Sequence, residues 1–168
     1  MHINDIFTNG HLTLMQTLDR LSAEDAEIPN VCGIWSVKDI LIHLTSFEQI
    51  LGDLLASLQG KAKDTPRLHD FIYDPTFNDR VVRENQHKTY AMILQEYELA
   101  HQRAAQLLLY FPHELRQLSG LIGWYGESYD LDDFIAYTYY GHKVEHCAQI
   151  AIFVDGLAHA EILEAQDA

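Results

Sequence analysis

Two histidines four residues apart are the strongest candidates for chemistry in this chain. His142 and His146 lie in an apolar run, YTYYGHKVEHCAQIAIF, that spans residues 137–153. The run has the character of a helix, and side chains at positions i and i+4 lie one turn apart on the same helical face. Both imidazoles can therefore reach one metal ion, although two ligands do not complete a site.

The third ligand is predicted far upstream, at His43. This residue lies on an apolar stripe with helical spacing, which consists of Ile40, His43, Phe47, Ile50 and Leu54. A stripe of this kind faces a protein core, where a histidine must find a polar partner. Three histidines from two helices would leave a tetrahedral ion with one open position, as in catalytic zinc sites. We expect Zn2+, Ni2+ or Fe2+ as the ion, because imidazole suits all three.

Metal binding requires neutral imidazoles, so it is linked to the release of protons. Free histidine titrates near ~6.5. From the sequence alone, we predict that protons compete with the metal as the pH falls from about 7 to about 5.

His11 lies on the apolar stripe of the first predicted helix, with Phe7 and Leu14. Two roles stay open for it. It can reach the same interior as a fourth ligand or a substrate-orienting base, or it can be a partly buried histidine bonded to a carbonyl or water.

A second metal motif is present but badly placed. Glu84-x-x-His87 and Glu98-x-x-His101 both match the Glu-x-x-His motif of di-iron bundles. The two motifs fall on one predicted helix, about 21 Å apart, and cannot share a cluster. These residues are therefore predicted to be solvated polar positions.

Two further features are close to this chemistry. Cys147 follows His146 but lies about 100° round the helix, so it is not expected to bind the same ion. The segment Gly120–Tyr129 combines glycines with Trp124, Tyr125 and Tyr129. It is interpreted either as the wall of a pocket mouth or as a cover for one end of the fold.

Four helices must position these residues. The first is predicted at Asp5–Leu21 and the second at Ser36–Leu58, opened by a capping pair, Ser36 and Asp39. The third is predicted at Phe77–Tyr110, unless it breaks near Asn85. The fourth is opened by Asp130 and Asp133, runs to Val154 and is ended by Asp155-Gly156. The segment Lys61–Thr76, which contains two prolines, is predicted to be a long ordered loop, with a lid or a short helical turn as alternatives.

The predicted fold class is all-α: an antiparallel four-helix bundle with a long loop between helices 2 and 3. The chain of 168 residues is expected to form a single domain, 1–168. Its net charge of −14 disfavours nucleic acid and anionic membranes as partners. The N-terminus lacks the pattern of a secretory signal, and two cysteines are too few for a disulfide framework. A cytoplasmic location is therefore expected.

More apolar surface is predicted than one interior requires. Tyr139, Tyr140 and Ile152 are expected to point away from the histidine face of the last helix. A two-fold homodimer is the commonest way to cover such a surface, and a homodimer is expected here.

The order of these motifs resembles the DinB/YfiT-like family. A Trp-Ser turn, Trp35-Ser36, opens a helix that carries His43-Leu44, and a late His-x-x-x-His is followed by Gln149-Ile150. The resemblance implies a four-helix bundle that holds a divalent metal at His43, His142 and His146. The basic residue and glycine often found after the last histidine are Cys147 and Ala148 here. This departure indicates a subfamily with different chemistry.

The leading hypothesis is a metal-dependent enzyme that acts on a small molecule. A water ligand would make it a hydrolase, and a low-molecular-weight thiol would make it an S-transferase or a thiol-dependent isomerase. The resemblance implies thiol transferases, and related bundles that protect against reactive small molecules in stress or detoxification. The rival hypothesis is a non-catalytic binding or stress-response protein with a structural or absent metal. A structural site would be closed by a fourth side chain, for which His11 is the candidate, and catalytic residues beyond the ligands stay unassigned.

Overall fold

Four long helices carry the core of the molecule. The computed structural model describes residues 2–62 and 64–166, and no strand is present in those ranges. The long helices are α1 (Ile3–Leu18), α2 (Val37–Leu58), α5 (Tyr90–Leu109) and α8 (His142–Gln166). Four short helices connect them: α3 (Pro66–Tyr73), α4 (Phe77–Asn85), α6 (His113–Arg116) and α7 (Leu131–Phe134). The predicted all-α bundle is confirmed.

The central helix of the bundle is α2, which has buried residues on every face. It lies along α5 and also contacts α3, α4 and α8, whereas α1 lies along α8. At its beginning, the Ser36 hydroxyl accepts a hydrogen bond from the Asp39 N–H, and the Asp39 carboxylate accepts one from the Ser36 N–H. This predicted capping box is confirmed and fixes where α2 begins, two turns before His43.

The predicted third helix is divided into α4 and α5, so a continuous helix over Phe77–Tyr110 is wrong and the break near Asn85 is confirmed. The Asn85 side chain donates to the Val81 carbonyl, and the Lys88 N–H donates to the Asn85 carbonyl. Such local bonds favour a turn over further helix. A new helix then begins after Thr89, whose hydroxyl accepts the Met92 N–H.

The segment between α2 and α4 contains more structure than the predicted loop. Pro66 begins α3, where its missing N–H costs no helical hydrogen bond. The apolar contacts of α3 come from Leu68, which is buried, and from Phe71 and Ile72, which are partly buried. Of the alternatives for Lys61–Thr76, the structure therefore contains a short helix.

The last helix of the chain has three parts. Asp130 and Asp133 form the predicted capping box at α7, which is confirmed. A π-helical segment, Ile135–Gly141, follows and joins α7 to α8 without a break. The prediction that Asp155-Gly156 ends the helix is wrong, because α8 continues to Gln166. One exposed glycine costs a helix only about 1 kcal/mol, which the flanking turns outweigh.

Close packing of α1 against the π-helical segment depends on Gly10. A Cβ atom at this position would lie 3.3 Å from the Tyr140 ring. Observed α1 begins two residues before the predicted helix and ends three residues before its predicted end. Across the described part of the chain, no helix is both long and apolar enough to cross a membrane.

Candidate metal centre

The fold brings His43 of α2 together with His142 and His146 of α8. The Nε2 atom of His142 lies 3.0 Å from the Nε2 of His43 and 3.0 Å from the Nε2 of His146. One ligand atom from each residue lies within 4.8 Å of the others. We call these three residues the histidine cluster.

The histidine cluster is arranged so that it could hold a divalent ion. Two imidazole nitrogens that bind one ion at about 2.0–2.1 Å can be at most about 4.2 Å apart, and the two measured separations are shorter than this limit. Without an ion, the Nε2 of His142 faces two other ring nitrogens and can exchange a hydrogen bond with only one of them in a given tautomer. Among the His, Cys, Asp and Glu side chains of the described ranges, these three histidines are the ligands of the cluster.

A hydrogen bond behind the ring orients one of the three imidazoles, that of His146. The Nδ1–H of His146 donates to the Gln149 side-chain oxygen at 2.9 Å, in the tautomer that leaves Nε2 with a free lone pair. The backbone of Thr138 lies beside the His142 ring and opposes the lowering of its pKa. Among the described residues, the buried Nδ1 atom of His43 has no hydrogen-bond partner. Its orientation depends on ring packing instead.

All three rings favour the neutral state. Burial, and then the neighbouring His142 and His146, lower the pKa of His43 to about 3. Burial followed by the charges of His146 and Lys143 lowers the pKa of His142 to about 4. The pKa of His146 is also lowered by burial, although its bond to Gln149 opposes the shift. Neutral imidazoles are the form that binds a metal.

The π-helical segment determines which face of α8 carries His142 and His146. It ends at Gly141, so His142 is the first residue of regular α-helix. A π-turn accommodates more residues than an α-turn, and such segments are frequent at functional sites. Tyr139, within the segment, is 2% exposed and packs against Phe134. The prediction that Tyr139 points away from the histidine face is therefore wrong, because its ring also lies 6.1 Å from Phe47, which packs on His43 and His142.

Aromatic rings surround the histidine cluster. The Phe47 ring lies 4.7 Å from the rings of both His43 and His142. Phe71 of α3 packs on Phe47 at 5.2 Å, and Trp124 packs on Phe71 at 5.9 Å. These rings place α3 and the Gly120–Tyr129 segment next to the cluster.

The Gly120–Tyr129 segment also packs against the bundle itself. Its Trp124 ring lies 5.5 Å from Phe134 of α7, and its Tyr125 ring lies 4.7 Å from the same side chain. This packing agrees with a cover over the bundle, and the interpretation as the wall of a pocket mouth stays a prediction.

His11 does not join the histidine cluster, so its interpretation as a fourth ligand is wrong. Its ring stacks on His101 at 4.0 Å, and its Nδ1 lies 3.4 Å from the Tyr97 hydroxyl. Burial, and then His101 and Lys143, lower the pKa of His11 to about 4. It is the partly buried histidine of the second alternative, with a phenol as its partner.

The two Glu-x-x-His motifs lie on different helices. The prediction that their residues are solvated holds only in part. Glu84 is exposed beside Arg80, and His87 is exposed after α4. His101, in contrast, is 6% exposed and its Nδ1 lies 3.2 Å from the Glu48 carboxylate. The prediction of a solvated His101 is wrong, because the residue faces α2 across the α2–α5 contact.

Glu48 and Lys143 are buried charged residues that the sequence reasoning missed. Lys143 Nζ donates to a Glu48 oxygen at 2.5 Å, and both side chains are at most 3% exposed. Burial strongly opposes the charge on Glu48, yet Lys143 and His101 together hold its pKa below the usual value. A signal was present, since Glu48 lies on a second stripe of α2 with Leu44 and Leu51.

Cys147 is buried next to the cluster but is not part of it, as predicted. Burial raises the pKa of its thiol, which disfavours the thiolate that would bind a metal.

Comparison with known proteins identifies the family. The family model of the mycothiol maleylpyruvate isomerase N-terminal domain matches residues 7–123. The chain belongs to this family. The family is DinB/YfiT-like, so the resemblance drawn from the sequence motifs is confirmed. No curated protein and no solved structure matches the chain. The matched region of the isomerase family includes His43, whereas His142 and His146 lie beyond it.

Proposed function

We propose that this protein is a metal-dependent enzyme that uses a low-molecular-weight thiol in an S-transfer or isomerisation reaction on a small molecule. His43, His142 and His146 are the metal ligands in this proposal. The observation that carries it is the convergence of three neutral imidazole nitrogens with no fourth protein ligand among the described residues. Family membership favours a thiol over water as the reacting ligand, since the family description names a mycothiol-dependent isomerase.

The protein's own residues have three tasks in this reaction. The histidine cluster presents lone pairs at neutral pH, and Gln149 keeps the His146 ring in its binding tautomer. A divalent ion bound there would favour the thiolate form of a thiol at its open position. Phe47 and Phe71 exclude water beside that position and offer flat apolar surface to a substrate.

We further propose that residues 1–168 act as a single domain. The ligands come from α2 and α8, near opposite ends of the chain, so the site requires the whole bundle. The partners of this domain are a small-molecule substrate and a small thiol.

The test is metal analysis of protein purified without a histidine tag, followed by activity screens. Wild type is expected to hold about one divalent ion per chain, and His142→Ala to hold almost none with an unchanged helical signal. His159→Ala is the matched control, because His159 is an exposed histidine on the same helix. It is expected to bind metal as wild type does.

Activity screens then separate the candidate reactions. Thiol-dependent turnover that is lost in His142→Ala supports the proposal, whereas thiol-independent hydrolysis would make the protein a metallohydrolase. Stoichiometric metal without either activity would favour the rival hypothesis, a non-catalytic stress-response or binding protein.

A further inference from the structure

A cluster around one buried carboxylate joins all four long helices beside the histidine cluster. Glu48 of α2 bonds Lys143 of α8 at 2.5 Å and His101 of α5 at 3.2 Å. Phe7 of α1 completes the set, because its ring stacks on His101 at 4.6 Å and lies 5.1 Å from Lys143 Nζ. We call these four residues the Glu48 cluster.

The Glu48 cluster adjoins the histidine cluster along both ligand-bearing helices. Lys143 directly follows His142, and Glu48 lies five residues after His43. An ion pair between Glu48 and Lys143 therefore fixes α2 relative to α8 at the level where the ligands meet. Its burial protects it from screening by salt.

Stability alone does not explain this ion pair. Removing two charges from water is so unfavourable that apolar replacements of similar volume often leave a protein equally stable or more stable. Polar groups buried in helical bundles are best known for specifying one register among several. The Glu48–Lys143 pair is therefore better explained as a contact that specifies one arrangement of α2 relative to α8.

Because of the π-helical segment, the rotation of α8 about its own axis is an arrangement that needs to be specified. It ends at Gly141, immediately before His142 and Lys143. A shift of one residue between π and α geometry rotates the following helix by about 100° relative to the preceding one. A rotation of this size would turn His142 away from His43, and it would also break the bond between Lys143 and Glu48.

We propose that Glu48 and Lys143 are positioning residues for the metal centre. Their ion pair holds the helical phase after the π-helical segment, so that His142 and His146 face His43. The inference rests on the proposed function, because it concerns the same metal site. Neither residue touches metal or substrate in this role.

The test replaces the pair with apolar residues of similar length. Glu48→Met/Lys143→Met is expected to fold and to melt within about 5 °C of wild type. Its affinity for Co2+ is expected to fall at least about tenfold, with an altered visible Co2+ absorption. A purely structural pair would change the melting temperature and leave the Co2+ spectrum unchanged.

A second variant isolates the ion pair from the rest of the Glu48 cluster. Glu48→Gln/Lys143→Met keeps a hydrogen-bonding group opposite His101 and is expected to lose Co2+ affinity in the same way. The matched control is Arg20→Ala/Asp155→Ala, which removes an exposed pair between the α1 end and α8. Its Co2+ affinity is expected to equal that of wild type.

The outcomes separate this inference from the proposed function. Wild-type Co2+ affinity in both paired variants would overturn the positioning role and leave the metal site intact. If neither variant folds, the pair serves the stability of the bundle and the positioning role is wrong. If wild type itself binds no Co2+, the proposed metal site fails, and the positioning role fails with it.

Discussion

Burial withdraws His43, His142 and His146 from water, and within the described residues no carboxylate joins their group. The two buried acids of α2 are already engaged, Asp39 by the Ser36 N–H and Glu48 by Lys143 and His101. A proton on His43 or His142 would therefore lack an acidic partner and remain poorly solvated, whereas Glu145 favours a proton on His146. The three neutral rings carry no positive charge, and a divalent ion bound between them would provide it.

Gln149 is expected to influence metal affinity without touching the ion. Its side-chain oxygen accepts the His146 Nδ1–H at 2.9 Å, which fixes the ring orientation. Gln149→Leu should weaken metal binding by about 10- to 100-fold, because outer partners of ligating histidines have effects of that size. Competition against a chelator measures the change. Gln102→Leu, at an exposed position on α5, is the control, and equal affinities in the two variants would contradict the prediction.

Sequence reasoning found the residues whose spacing is local and missed those defined by contacts between helices. The pair His142 and His146 is visible because helical periodicity alone places both on one face. Glu48 and Lys143 each interrupt an apolar stripe on a separate helix, and only the packed bundle shows that they meet. The prediction of a solvated His101 was wrong for the same reason, because its partner Glu48 is on another helix, α2.

At the level of helices, local signals predicted where segments begin better than where they end. The capping boxes at Ser36 and Asp130 involve residues three positions apart, so the sequence contains them entirely. Gly156 was misjudged as a helix end, because whether a helix continues through a glycine depends on the packing of its flanks. The π-helical segment packs closely on α1 where Tyr140 meets Gly10, a contact that no pattern within residues 135–141 records.

The same substitution is expected to have opposite effects at two helical glycines. Gly10→Leu should lower the free energy of unfolding by about 1–3 kcal/mol, because a Cβ there already meets Tyr140 at 3.3 Å. Gly156→Leu should raise it by roughly 0.5–1 kcal/mol, because nothing lies within 4 Å and leucine favours a helix. Urea unfolding of both variants provides the measurement. A stabilised Gly10→Leu variant would show that α1 does not approach the π-helical segment closely.

On the surface of the whole molecule, one face of the last helix is apolar. Tyr137, Val144 and Ile152 are 65%, 37% and 74% exposed, at spacings of seven and eight residues. We expect a two-fold homodimer through this face, and a monomer for Ile152→Glu. Light scattering at about 10 µM distinguishes the states, since stable dimers dissociate far below that concentration. Leu99→Glu, on α5, is the control, and a monomeric wild type would refute the expectation.

The metal-free protein is expected to lose stability in acid. Unfolded histidines take up protons below about pH 6.5, whereas folded His43 and His142 stay neutral until the pH approaches about 3 and about 4. The unfolded state therefore binds more protons across this window, and falling pH favours it. His43 alone should remove about 2 kcal/mol between pH 7 and pH 5. Denaturant unfolding with a chelator present measures the loss, and His43→Ala should reduce its slope.

Metal affinity should tolerate acid better than the ordinary pKa of histidine suggests. The sequence alone places proton competition between about pH 7 and pH 5, but burial lowers the pKa of all three ligands in the folded protein. Protons therefore reach the nitrogens of His142 and His43 only as the pH approaches about 4 and about 3, and affinity should fall at a lower pH than free histidines would give.

Calorimetry at pH 6 in buffers of different ionisation enthalpy tests this prediction. Three histidines with ordinary pKa values would release about two protons when a metal binds, because at about pH 6 each of them is protonated most of the time beforehand. The buried histidine cluster should release fewer than about one, because its rings are already neutral. Release of two or more protons would mean that the ligands are solvated before binding. The packing of Phe47 and Trp35 around His43 would then not exist in solution.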